Sequence, residues 1–107
     1  MSPGEIYLIQ FDPSVGAEIQ KRRPALVIQK SPHRSTMIVL PISSKKLTHP
    51  VYEVELRKDD QNQLYADSVV VLDQVKSFDQ QRFVGKIGQI HPVQLAEIIA
   101  KFKSILP

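Results

Sequence analysis

A chain of 107 residues with 42% hydrophobic content carries enough apolar material for one core, and halves of it would be too small to fold alone, so a single domain over 1–107 is expected. It has no cysteine and only three histidines, which removes disulfide frameworks and thiolate metal sites; no metal site and no cofactor are expected. The net charge of +3 is unevenly spread, because Lys21, Arg22, Arg23, Lys30, Arg34, Lys45 and Lys46 stand between Glu18 and Glu53 with no acid among them; this fits a polyanion-binding face and equally a solvated basic surface.

The first apolar stretch, Ile6 to Phe11, is interrupted by Tyr7 and Gln10 and lacks a basic leader, so it is not a signal peptide. No apolar run approaches the roughly 20 residues that cross a bilayer. By elimination the expectation is a cytoplasmic protein with no membrane partner.

In chain order, Gly4 to Phe11 is rich in β-branched and aromatic residues and stops at Asp12-Pro13, which predicts a first strand. A polar loop runs from Asp12 to Arg23, and the next strand is placed from Pro24 to Gln29, because a proline is tolerated at a strand's start. Ser31 to Ser35 is a turn cluster. Thr36 to Ile42 is continuously apolar, as in a strand buried on both faces, with Pro41 marking a bulge or the exit from pairing. Val51 to Leu56 alternates with period two, predicting a strand whose glutamates face water. Arg57 to Asn62 is a charged connector with room for one helical turn. Ser68 to Leu72 is a buried strand continued by Gln74 to Phe78, and Arg82 to Ile87 is a last short one.

The end of the chain differs. Pro92 suits a first helical position, and Leu95, Ile98, Ile99, Phe102 and Leu106 fall at i, i+3, i+4, i+7 and i+11, predicting an amphipathic helix of about four turns that ends at Pro107. Five to seven short strands and one helix give a mainly β (α+β) fold. The expected packing is a small, partly open barrel with the helix on one face, ahead of an open sandwich.

There is no glycine-rich phosphate loop, paired-histidine helix or nucleophile elbow, so the familiar cofactor enzymes are excluded. The best candidate for chemistry is the loop leading to Arg23. The residue before a proline is confined to extended geometry, so Arg23 should sit where a loop meets a strand, with the positional precision of the sheet. A purely structural role, anchoring an acid such as Glu18 or capping a strand edge, remains open beside it. His33, His49 and His91 show no spacing that would bring two of them together and read as surface histidines.

Six segments then agree in order and spacing with a known pattern: Gly4-Glu5-Ile6-Tyr7, Asp12-Pro13, Gly16-Ala17-Glu18, Arg23-Pro24-Ala25-Leu26-Val27-Ile28, Val39-Leu40-Pro41-Ile42-Ser43-Ser44 and Asp73-Gln74-Val75-Lys76-Ser77. Together they resemble the PemK/MazF family of toxin endoribonucleases, over nearly the whole chain from Gly4 to the final helix. The resemblance implies a homodimeric, SH3-like barrel that cuts single-stranded RNA at short motifs without a metal. Such a protein acts on mRNA, inhibits translation and growth, and is silenced by a cognate antitoxin. It also implies a catalytic couple of Arg23 and Ser43, with Glu18 in the same site.

The expected RNA contacts are Lys21, Arg22, Ser44, Gln74 and Ser77, with Phe11 as a possible base-stacking platform. Phe78 reads as core, and Phe11 serves either role. A guanidinium fork can hold two phosphate oxygens while a hydroxyl adds a third hydrogen bond. A carboxylate such as Glu18 makes a better base than a guanidinium, so Arg23 is expected to stabilise charge and is a candidate acid, while the identity of the base stays open.

Two departures stand out. Serine occupies position 43 where the family usually has threonine, which keeps the hydroxyl and loses the stiffening β-branch, and Ser44 is an alternative for the role. The loop also carries the extra charges Lys21 and Arg22. Two other functions therefore stay open: a non-catalytic toxin on the same barrel that binds a protein target such as DNA gyrase, and an inactive RNA-binding or regulatory relative.

Overall fold

The computed structural model describes residues 1–11 and 22–107. Among them are seven strands, β1 (Glu5–Gln10), β2 (Arg22–Lys30), β3 (Thr36–Ser43), β4 (Glu53–Leu56), β5 (Ser68–Val71), β6 (Lys76–Asp79) and β7 (Phe83–Gln89), followed by the helix α1 (Pro92–Ser104). The strands are antiparallel in the order β4-β5-β3-β2-β1-β7, and β6 also pairs with β3. β4 and β7 end this path without pairing to each other, which is the partly open barrel with a C-terminal helix that the pattern predicted. No helix among the described residues is long and apolar enough to cross a membrane.

The long apolar runs of β2 and β3 are explained by two cores. Leu26, Ile28, Leu40 and Ile42 face a large cluster closed by α1 through Leu95, Ile98, Ile99 and Phe102. Their neighbours Ala25, Val27, Met37 and Val39 face a smaller cluster with Ile9, rimmed by Tyr7, Phe11, Phe78 and Phe83. Successive side chains of a strand point to opposite faces, so a run buried on both sides has to be apolar at every position.

β3 is the strand on which the sheet changes partner. Thr36 to Val39 pair with β6, whereas Ile42 and Ser43 pair with β5. Pro41 lies between the two sets, where its missing N–H removes no rung from either ladder, as its predicted role required. It remains level with Ala25 on the β2 side.

Four local expectations are corrected. β2 begins at Arg22 and not at Pro24, because β1 extends to Gln10 and keeps Arg22, Arg23 and Pro24 level with Gln10, Ile9 and Leu8. The β3 ladder starts only at Ala25–Pro41, so the proline nitrogen costs it nothing. The fourth strand begins at Glu53, leaves Val51 exposed and turns Glu53 inward at 4% exposure. The connector from Arg57 to Asn62 forms turns, with no helix. The run after β5 is broken by a 3-10 turn, Leu72–Gln74, before β6 returns to β3.

The helix starts as expected, with the His91 Nδ1 accepting from the Val93 N–H at 3.1 Å and Pro92 at its first position. It ends at Ser104, three residues before the predicted Pro107. The Ile105 N–H turns back to the Phe102 and Lys103 carbonyls, and Ile105 rather than the exposed Leu106 completes the apolar face.

The turn residues between β4 and β5 are organised by buried Asn62. Its Oδ1 accepts from the Asp59 and Leu64 N–H groups, each at 3.0 Å, and its Nδ2 donates to the Arg57 carbonyl at 2.7 Å. This segment lies so close to β7 that a Cβ on Gly88 would stand 2.5 Å from the carbonyl oxygens of Gln61 and Asn62. Glycine is needed there for close backbone approach.

Candidate active site

Two residues beyond the Ala25–Pro41 pair, where β3 has passed from β2 to β5, Arg23 stands near the start of β2 and Ser43 at the end of β3. Both line two cavities, one of about 310 Å³ and the other of about 360 Å³. Arg23 is exposed and Ser43 half-buried. Their donors are therefore carried on neighbouring strands and border open cavities. Arg23 owes its place to the strand itself, since it lies within β2 and not at the loop junction expected from the sequence.

The first cavity also takes in Lys45, His49, Tyr52, Glu53, Asp73 and Gln74. Its wall is the segment between β3 and β4, wound around the Glu53 carboxylate. Lys45 Nζ donates to it at 2.5 Å, the backbone N–H groups of Thr48 and His49 at 3.0 and 3.2 Å, and the Thr48 hydroxyl at 3.4 Å. The Lys45 ammonium, followed by the Thr48 N–H, pulls the Glu53 pKa from the usual 4.5 down to about 2. The helix ties down the same wall, because Lys101 Nζ donates to the carbonyls of Pro50 and Glu53. A buried, multiply bonded carboxylate thus fixes the segment that carries His49 and Tyr52 over the cavity.

The second cavity is lined on one side by Arg22, Arg23 and Pro24 and on the other by Ser44, Leu64 and Tyr65. No carboxylate lies among its described lining residues. Among the described residues neither Arg22 nor Arg23 forms an ion pair. Two cations of the basic stretch, Arg22 and Arg23, therefore face this cavity without a described counter-charge. In the first cavity Glu53 and Asp73 offset the cations.

Of the residues singled out from the sequence, Arg23, Ser43 and Gln74 meet at the first cavity, and Arg22, Arg23, Ser43 and Ser44 at the second. Glu18 and Lys21 lie outside the described residues. Ser77 sits on β6 opposite Ile38 and lines neither cavity. Phe11 is also drawn away from both. It packs edge-on against Phe78 with ring centroids 4.9 Å apart, while Arg82 covers Phe78 and donates to the Gln10 and Phe11 carbonyls at 2.9 and 2.8 Å. Those two rings, with Tyr7 and Phe83, close the rim of the small cluster.

Sequence reasoning missed Lys45, His49, Glu53, Asp73 and Tyr65. Asp73 stood next to Gln74 in a segment already singled out. Periodicity did not distinguish Glu53 from Glu55, since their environments differ through the preceding segment, Lys45 to His49, which folds back on Glu53 alone. Among the described residues no group of three or more histidine, aspartate or glutamate side chains is arranged to hold a metal ion.

Two hydrogen-bond donors beside a basic cavity with no carboxylate among its described lining residues can hold an anion such as a phosphodiester and stabilise charge developing on its oxygens. Comparison with known proteins agrees with that chemistry. The family model of PemK-like, MazF-like toxins of type II toxin-antitoxin systems matches residues 2–106. The endoribonuclease MazF of Staphylococcus saprophyticus subsp. saprophyticus is 29% identical over 103 residues, covering 92% of this chain and 84% of that one. MazF from Deinococcus radiodurans has a similar structure, with a TM-score of 0.76 at 28% identity over 98% of this chain and 94% of that one. A mycobacterial endoribonuclease solved with its cognate antitoxin shares the fold, with a TM-score of 0.74 at 14% identity over 98% and 95% of the two chains.

Proposed function

We propose, from the premise that this chain belongs to the PemK-like, MazF-like toxins of type II toxin-antitoxin systems, that it is an endoribonuclease cutting single-stranded RNA at short sequence motifs. The observation that carries the reading is the placement of Arg23 and Ser43 on adjacent strands, lining both cavities. By cleaving mRNA the protein inhibits translation and growth.

The chemistry needs no metal ion. The RNA's own 2′-oxygen attacks the adjacent phosphorus and loses its proton to a base, the bond from phosphorus to the 5′-oxygen breaks, and that oxygen takes up a proton. The products are a 2′,3′-cyclic phosphate and a free 5′-hydroxyl. Because the nucleophile is internal, the enzyme's tasks are alignment and neutralisation of charge on the non-bridging oxygens. Arg23 performs the second task through its planar fork, and Ser43 adds a hydrogen bond. Arg22, Ser44 and Gln74 bind the flanking RNA. Glu18, with its carboxylate, is the base of this scheme.

The partners follow from the same reading. A cognate antitoxin silences the toxin, with an acidic segment laid across the arginines of the second cavity. The exposed edges of an open sheet favour a symmetric homodimer.

The test is incubation of the purified protein with long single-stranded RNA in excess chelator, with the 5′ ends of the products mapped by sequencing. Cleavage at discrete motifs is expected, slowed by about 100- to 1000-fold in Arg23→Ala. The absence of discrete cleavage overturns the reading. Full growth inhibition by Arg23→Ala would point instead to a toxin that binds a protein target.

A further inference from the structure

We infer that the exposed ring of Tyr65 is a stacking platform for a nucleobase of single-stranded RNA, beside the phosphate held by Arg23. The inference rests on the reading of the site as one that binds RNA, and it adds a substrate-binding residue that the sequence did not reveal.

Tyr65 is 81% exposed, the most exposed large hydrophobic side chain among the described residues. A ring left in water forgoes the burial that usually stabilises an aromatic side chain, so its position asks for another explanation. Four other aromatics are already matched. Phe11 packs on Phe78 and Tyr7 on Phe83, in edge-on pairs. Tyr52 borders the first cavity, beside Glu53 and Asp73, and is less exposed, at 46%.

The ring of Tyr65 is also held in place. The preceding Leu64 is buried, and its N–H is fixed by Asn62 Oδ1. The following Asp67 accepts from the Lys58 N–H at 2.9 Å, and Ser68 is buried at the start of β5. At its tip the tyrosine hydroxyl lies 3.1 Å from Ser44 Oγ. A platform anchored at both ends of its segment and at its hydroxyl loses little entropy when a base lands on it.

Charge supplies the rest. Tyr65 borders the cavity that contains Arg22 and Arg23 and no described carboxylate. A flat aromatic beside a basic groove is the arrangement by which proteins hold unstacked bases while cations track the phosphates.

The chain has no tryptophan, so Tyr65→Trp creates a single fluorescent reporter at the platform. Random-sequence 2′-O-methyl RNA dodecamers serve as the probe, because a blocked 2′-oxygen prevents cleavage. The expected result is quenching of the Tyr65→Trp emission on addition of the dodecamers. Tyr65→Phe should bind close to wild type, and Tyr65→Ala about 5- to 100-fold more weakly, the loss of one base–aromatic stack. On cleavable RNA, Tyr65→Ala should raise KM with kcat retained, as for a group that binds substrate and transition state alike. Its melting temperature should stay within a few degrees of wild type, which separates lost binding from lost folding.

Unaltered dodecamer affinity in Tyr65→Ala, or Tyr65→Trp emission that RNA leaves unchanged, overturns the inference. So does a Tyr65→Ala protein that loses only its affinity for a protein partner. If RNA is cut and Tyr65→Ala cuts it with unchanged KM, stacking falls and the ribonuclease reading stands. If the dodecamers quench Tyr65→Trp but wild type cuts no RNA, the ribonuclease reading falls and stacking stands.

Discussion

The Lys45 ammonium lies 2.5 Å from the Glu53 carboxylate, and this pair, buried on the Glu53 side, anchors the wall of the first cavity. Breaking a buried ion pair from one side leaves the other charge uncompensated, which is why such pairs are sensitive to acid as well as to mutation.

The acid response has a definite sign. The Glu53 pKa is depressed from 4.5 to about 2 in the folded protein, so on acidification the unfolded chain takes up this proton first. The stabilisation by Glu53 is complete above pH 4.5 and is lost as the pH falls towards about 2. Denaturant midpoints measured across that window should fall more steeply for wild type than for Glu53→Gln. Parallel profiles would show that the carboxylate does not act through its ionised form.

Arg23→Ala should lower kcat by about 100- to 1000-fold, the usual consequence of removing a donor to a developing oxyanion. Arg23→Lys should recover little of it, because an ammonium lacks the planar fork. The residue is exposed, so thermal unfolding should move by no more than about 0.5 kcal/mol. Single-turnover cleavage of RNA with a fixed 5′ label measures the first effect, and calorimetry the second.

Ser43→Ala should slow the same single-turnover step by about tenfold or more. Ser43→Thr should leave it intact or accelerate it a few-fold, because a β-branch restricts χ1 and preorganises the hydroxyl. Equal rates for all three proteins would transfer the role to Ser44, whose hydroxyl lies 3.1 Å from that of Tyr65.

Gly88→Ala should destabilise the fold by about 1–3 kcal/mol, since the added methyl meets two backbone carbonyl oxygens that cannot rotate away. Gly85→Ala on the same strand has nothing within 4 Å of its added Cβ. It should be neutral or slightly stabilising. Urea denaturation of the two variants side by side checks the contrast.

Ile98→Ala should cost about 2–5 kcal/mol, because Ile98 is fully buried where α1 closes the larger core. Leu106→Ala should be within about 0.5 kcal/mol, since the helix ends before it and the side chain is exposed. Equilibrium unfolding that gave equal losses would show that the helix continues to Leu106.

How much was legible in the sequence can be read at single residues. The start of α1 was visible at His91-Pro92 because a cap is a local structure, closed within two residues. The double burial of β2 and β3 was visible because apolar residues at every position leave no wet face. Arg23 was reached by its place before Pro24 and by family resemblance, and Ser43 by resemblance alone. Glu53 was read as facing water, and Tyr65 was passed over.

The sequence by itself determined the mainly β character, the two-sided central strands, the closing helix and the concentration of cations between Glu18 and Glu53. Those properties depend on periodicity, capping and composition, all of which act over a few residues. Only the tertiary structure decided that Arg23 lies inside a strand and shares two cavities with Ser43, because strand ends are set by the partner strand. It also decided which cations lie beside carboxylates and which do not. Glu53 is buried because Lys45 and the Thr48 and His49 backbones close around it, and Arg22 and Arg23 stand in a cavity without a described acid because the chain returns there with Ser44 and Tyr65. Burial and charge compensation depend on all neighbours in space, and those are assembled only by the fold.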